Sequence, residues 1–136
     1  MRIGFTCSTF DLFHAGHVLM LEEAKKQCDF LIVGLQTDPT IDRPKKNKPV
    51  QGVFERYIQL KGCRFVDQII PYATEQELYD LLQSFPIDVR ILGEEYSNGD
   101  FTGSGLKMEY YYNKRKHSFS TSELRKRVVD AGIKDG

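Results

Sequence analysis

Short apolar runs alternate along this chain with segments of helical period, and that alternation sets the expected fold. Arg2 to Ser8 reads as a short buried strand, Thr9 to His14 as a loop, and His17 to Gln27 as a helix with Val18, Leu21 and Ala24 on one face. Phe30 to Leu35 is a continuous apolar run of strand length, the pattern of a parallel strand covered on both sides. Asp38 to Gly52 is rich in Pro and Lys and has no period, so it is a loop; Val53 to Leu60 follows as a helix expected to bury Phe54, Tyr57 and Ile58. Gln68 to Ile70 is a short strand ended by Pro71. Thr74 to Phe85 carries the clearest helical pattern, with Thr74 and Glu77 spaced as a capping box, Leu78, Leu81, Leu82 and Phe85 on one face, and Pro86 as the stop. Val89 to Leu92 is a fourth strand turning at Gly93, Ser97 to Gly105 is a Gly-rich loop, and Met108 to Tyr112 is a fifth strand. Ser120 and Glu123 form a second capping box ahead of Leu124, Val128 and Val129. The whole predicts one α/β domain over residues 1–136: a doubly wound, parallel, five-stranded sheet flanked by helices.

Composition narrows the setting. A chain of 136 residues buries roughly two thirds of its unfolded surface and folds without staples. Its three cysteines are odd in number and scattered, which fits reduced thiols in the cytoplasm better than a secreted disulfide framework. No apolar run is long enough to span a bilayer, and the N-terminus lacks the order of a signal peptide. With 19 basic and 19 acidic residues there is no global field to draw the protein to nucleic acid or to an anionic membrane. The distribution is less even. Arg43, Lys45, Lys46 and Lys48 crowd one loop, and Lys114, Arg115, Lys116 and His117 make a second basic run.

The candidate chemistry starts at His14-Ala15-Gly16-His17, where a strand and loop open onto a helix. A helix N-terminus offers unpaired N–H groups and a positive dipole end to an anion, and two imidazoles three residues apart can both donate to its oxygens. Gly16 is expected to let the backbone approach a phosphate closely. A zinc site is the weaker reading, because the remaining ligand types, Cys7, Cys28, Cys63 and His117, show no metal-ligand spacing. In a doubly wound sheet ligands gather beyond the carboxyl ends of the strands. His14 and His17 follow strand one, the lysine loop strand two, Glu94 and Glu95 strand four, and Arg115 to Thr121 strand five, so the suspicious residues converge.

Ser8 to His17 (STFDLFHAGH) resembles the TFDxxHxGH signature of the nucleotidyltransferase superfamily, and Arg115 to Thr121 (RKHSFST) resembles that family's C-terminal RTEGIST element. The resemblance runs nearly the length of the chain, through Leu21 to Lys25, Arg64 to Asp67 and Ile87 to Val89, and its spacing matches the short single-domain cytidylyltransferases, those acting on glycerol 3-phosphate above all. It implies a Rossmann-like fold and a reaction in which an acceptor phosphate attacks the α-phosphorus of CTP, giving a CDP-alcohol and diphosphate. By the same resemblance Thr9, Phe10, His14, Gly16, His17, Arg56, Glu95, Arg115, Ser120 and Thr121 would meet the nucleotide, while Lys45, Lys46 and Arg64 would meet a small alcohol phosphate, expected to be sn-glycerol 3-phosphate. His14, His17, Lys45, Lys46 and Arg115 would be the catalytic set, with Mg²⁺ bridging the phosphates on few protein ligands.

The residues alone assign bland roles beside these. Phe10 suits packing, Ser120 a helix cap, Asp11 a brace on backbone N–H groups, and Arg64 with Asp67 an ion pair. Two departures stand out: Ser8 takes the place of the family's usual Gly, and His117-Ser118 replaces Glu-Gly. The alternatives are an adenylyltransferase using ATP on FMN, phosphopantetheine or a sugar phosphate, and a nucleotide-binding module without chemistry. The family's small members imply a homodimer.

Overall fold

A computed structural model describes residues 1–132. Five strands, β1 (Ile3–Ser8), β2 (Phe30–Gln36), β3 (Gln68–Tyr72), β4 (Val89–Gly93) and β5 (Glu109–Asn113), form one sheet in the order β3-β2-β1-β4-β5. Every pairing is parallel. Four helices connect or follow them: α1 (Ala15–Lys25), α2 (Val53–Lys61), α3 (Glu75–Ser84) and α4 (Thr121–Gly132), with a short 3₁₀ turn at Glu94–Tyr96. The strand order reverses between β1 and β4, and the crevice beyond their carboxyl ends is the expected ligand position.

Two cores flank the sheet, which explains why β2 reads as an unbroken apolar run. Leu31, Val33 and Leu35 pack toward Leu21 and Ala24 of α1 and Leu60 of α2, while Ile32 joins Phe5 against Leu78, Leu81 and Leu82 of α3. Thr74 caps α3 by accepting the Glu77 N–H at 3.1 Å, and the Glu77 carboxylate reaches back to the N–H of Ala73 rather than that of Thr74. Ser120 accepts the Glu123 N–H at 3.0 Å before α4, as the spacing predicts.

Several expectations change. Pro71 lies inside β3, paired opposite Leu35, and is tolerated because β3 is an edge strand whose outer side needs no ladder donor. Helix α2 is rotated from the predicted face: Phe54, Tyr57 and Ile58 are exposed, and Arg56 and Leu60 point inward instead. The cause is Arg56, 2% exposed, whose guanidinium donates to the carbonyls of Thr9, Gln36, Thr37 and Gln51 at 2.6–3.0 Å. Three backbone acceptors at the ends of β1 and β2 and a fourth just before α2 hold the polar residue in and turn the apolar stripe out. In α4, Val128 and Val129 are likewise exposed.

Candidate active site

The loop between β1 and α1 is strained and heavily braced. Phe10 and Leu12 adopt φ of 53° and 52°, a region bulky side chains avoid. Asp11, buried between them, accepts the N–H groups of Val50 and Gln51 at 2.8 and 2.9 Å and pairs with Arg125 of α4 at 2.8 Å. The Leu12 N–H donates to the side-chain oxygen of Gln51 at 2.9 Å. Burial alone would raise the Asp11 carboxyl, but these donors outweigh it and hold it below its ordinary value of 3.8. Phe10 is a core residue, 1% exposed, that sets its ring edge against His17 at 5.4 Å between centroids. It packs against the imidazole and also lines the larger of the two clefts at this site.

His14 is the N-cap of α1, and its Nδ1 accepts the Gly16 N–H at 3.0 Å. The His14 N–H in turn donates to Nδ1 of His17 at 3.2 Å. With Nδ1 of each ring engaged as an acceptor, a neutral imidazole must carry its proton on Nε2. The rings stack with centroids 3.9 Å apart, so a charge on one disfavours a charge on the other. Burial first, and His14 second, push His17 down to about 4; burial, then His117 and Arg115, lower His14. At neutral pH the pair is therefore two uncharged Nε2–H donors with fixed orientation. His14 Nε2 lies 3.2 Å from Oγ1 of Thr121, the first residue of α4, so the N-termini of α1 and α4 converge on the same point.

Beside the expected approach of a phosphate, Gly16 meets a second demand. Its N–H is occupied by His14, and a Cβ there would come within 2.8 Å of the His14 ring and 3.0 Å of His117. It makes room for imidazoles. Gly93, ending β4, is similar: a Cβ would lie 2.5 Å from both carboxylate oxygens of Glu95, which folds back over the switch point.

Two clefts meet here and share Ser8, His17, Gly93, Glu95, Asn113 and Thr121. One, of about 770 Å³, runs from the imidazoles past Lys114 to Ser120 and includes Arg115 and His117. Arg115 donates to the Phe119 carbonyl, and Nδ1 of His117 accepts the Phe119 N–H, which sets the basic run before α4. The other, of about 1070 Å³, runs beneath the lysine loop and the Gly-rich loop and takes in Thr9, Arg43 and Lys46.

Three of the expected residues lie outside the lining of both clefts. Arg56 lines neither cleft, since its donors are taken by backbone carbonyls. Lys45 is exposed and also lines neither, which leaves Lys46 as the lysine of that pair facing the cleft. Arg64 precedes β3 at the amino end of the sheet, stacked over Phe65 at 4.9 Å, while its supposed partner Asp67 pairs with Lys25 at 2.5 Å. Sequence reasoning missed Gln36, Arg90, Asn113 and Arg125. A polar residue at the end of an apolar run was the available signal for Gln36 and Asn113.

Comparison with known proteins points to one family. The model of the cytidylyltransferase-like family matches residues 5–127. The glycerol-3-phosphate cytidylyltransferase of Staphylococcus aureus is 31% identical over 98% of this chain and 100% of its own length. The bifunctional protein HldE of Caulobacter sp. is 38% identical over 81% of this chain, which spans only 22% of that larger relative. A lipopolysaccharide core biosynthesis protein from Thermoplasma volcanium superposes with a TM-score of 0.62 at 22% identity, covering 97% of this chain and 89% of its own, a likeness of fold. On the extent of these matches and the convergence of two helix N-termini on His14 and His17, the chain belongs to the cytidylyltransferase-like family of nucleotidyltransferases.

Proposed function

We propose that the protein transfers CMP from CTP to the phosphate of a small alcohol phosphate, sn-glycerol 3-phosphate first among them, releasing diphosphate. The observation that carries this reading is the pair of Nε2–H donors fixed where two helix N-termini meet. An acceptor phosphate oxygen attacks the α-phosphorus, a P–O bond forms, and the bond to the β-phosphate bridge breaks. Charge builds on the oxygens about the α-phosphorus, and preoriented neutral donors stabilise it without reorganising. Arg115 and the α4 N-terminus, with Ser120 and Thr121, receive the leaving diphosphate; Lys46 and Arg43 draw in the acceptor.

In this reading Mg²⁺ would be carried mainly by the triphosphate and water. Glu95, which lines both clefts, would be the side chain to hold Mg²⁺, and the ion would supply neutralisation of phosphate charge. The protein acts as a homodimer through the exposed apolar face of α2, where Val53, Phe54, Tyr57 and Ile58 lie together. The free thiols Cys7, Cys28 and Cys63 suit the cytoplasm. Diphosphate release measured with CTP and with ATP, each against glycerol 3-phosphate, is expected with CTP. Turnover with ATP alone overturns the reading.

A further inference from the structure

The far end of the larger cleft holds polar side chains that the transfer chemistry does not use. Three strands each send one to the α3 face of the sheet: Gln36 from β2, Cys7 from β1 and Arg90 from β4, with Tyr72 of β3 beside them. Gln36 is 4% exposed and its Nε2 has no partner. Glu75, at the start of α3, accepts Thr102 on Oε1 at 3.2 Å, while its Oε2 is buried and unpartnered. Arg90 is 3% exposed and makes no ion pair among the described residues. One N–H of Arg90 holds the Thr102 carbonyl, and its guanidinium lies over Phe101 at 5.0 Å. That staple on the Gly-rich loop uses part of a five-donor group, and the Cys7 thiol, which contacts both Tyr72 and Arg90, is a weak partner. Buried polar atoms are ordinarily satisfied, so an unpartnered amide donor and an unpartnered carboxylate acceptor facing one cleft mark a place for a ligand's polar groups.

We propose that Gln36, Glu75 and Arg90 form an acceptor subsite that reads the hydroxyl groups of a polyol phosphate and rejects acceptors with an ammonium head group. This rests on the cytidylyl-transfer reading above. Hydroxyls satisfy the set, since each accepts from Gln36 or Arg90 and donates to Glu75. Charge argues the same way: Arg43 pairs with Glu75 at 3.9 Å, and Lys46 and Arg90 line the same cleft, so the subsite suits an anionic phosphate with a neutral polar body. An ammonium group would lie beside a buried, unpaired guanidinium, and like charges in a poorly solvated site are strongly disfavoured.

The test compares kcat/KM, with CTP, for sn-glycerol 3-phosphate, propyl phosphate and phosphoethanolamine. The wild-type protein should prefer glycerol 3-phosphate over propyl phosphate by about 100-fold, the scale of two hydrogen bonds to polar or charged partners, and should use phosphoethanolamine poorly. Gln36→Leu and Arg90→Met should each shrink the first ratio to about tenfold, with the KM for CTP unchanged, and Arg90→Met should gain on phosphoethanolamine. Gln36→Leu carries the test alone if Arg90→Met does not fold. Ratios unchanged in the variants, or a wild-type preference for phosphoethanolamine, overturn the subsite while leaving cytidylyl transfer standing. No diphosphate release with any acceptor overturns both.

Discussion

The two ends of the active cleft are built on opposite plans. Around His14 and His17 both Nδ1 atoms are engaged by backbone donors, and Asp11 accepts three bonds. At the far end Gln36 Nε2 and Glu75 Oε2 are buried without partners. Groups that must already stand in transition-state geometry are locked by the fold, whereas groups that select a substrate wait for it.

The largest expected effects come from breaking the locked end. His14→Ala and His17→Ala should each lower kcat by about 10²–10³, with CTP binding little changed and the fold retained at a cost of about 1 kcal/mol for the lost cap, as removal of one transition-state donor does elsewhere. Equal losses in CTP affinity and in rate would assign the imidazoles to ground-state binding. Arg56 and Arg115 sharpen the same contrast between fold and ligand. Arg56→Met should cost at least about 3 kcal/mol in denaturant unfolding, because it strands four buried carbonyl contacts. Arg115→Ala should leave stability alone and raise the KM for CTP about tenfold.

Smaller effects should follow proton binding and the lysine loop. His17 sits at about 4 when folded against 6.5 for a free imidazole, so the unfolded chain takes up a proton first. The stability this pair contributes is complete above about pH 6.5 and falls as the pH drops from 6.5 toward 4; Asp11, held below its ordinary value of 3.8, adds a further loss at more acid pH. Denaturant midpoints taken from pH 7 to 4 should show the decline, and His17→Gln should flatten its upper part. At the open end, Lys46→Ala should raise the acceptor KM roughly fivefold and Lys45→Ala less than twofold, since an exposed loop charge contributes only about 1 kcal/mol and only Lys46 of the two faces the cleft. Equal effects of the two would mean that the loop rearranges on binding.

The fold was legible because its periods are strong: an unbroken apolar β2, a clean heptad-like stripe in α3 and two caps dictate alternating strands and helices. What misled was polar residues used inward. Nothing in the spacing of α2 distinguishes Arg56, which seeks four carbonyls from distant segments, from a surface charge, and its inward turn exposed the stripe that period alone assigned to the core. Pro71 escaped for a related reason, since only sheet order reveals an edge. At the site, the signature gave His14 and His17, while Gln36, Arg90 and Asn113 join the lining of one cleft only through the order of the strands.

The central claim is that both imidazoles act as neutral Nε2–H donors. Nitrogen-15 NMR of the ring nitrogens at pH 7 tests it most directly. Protonated Nε2 with bare, hydrogen-bonded Nδ1 on both His14 and His17 is the expected result; a proton on Nδ1 of either ring, or an imidazolium, would contradict the account.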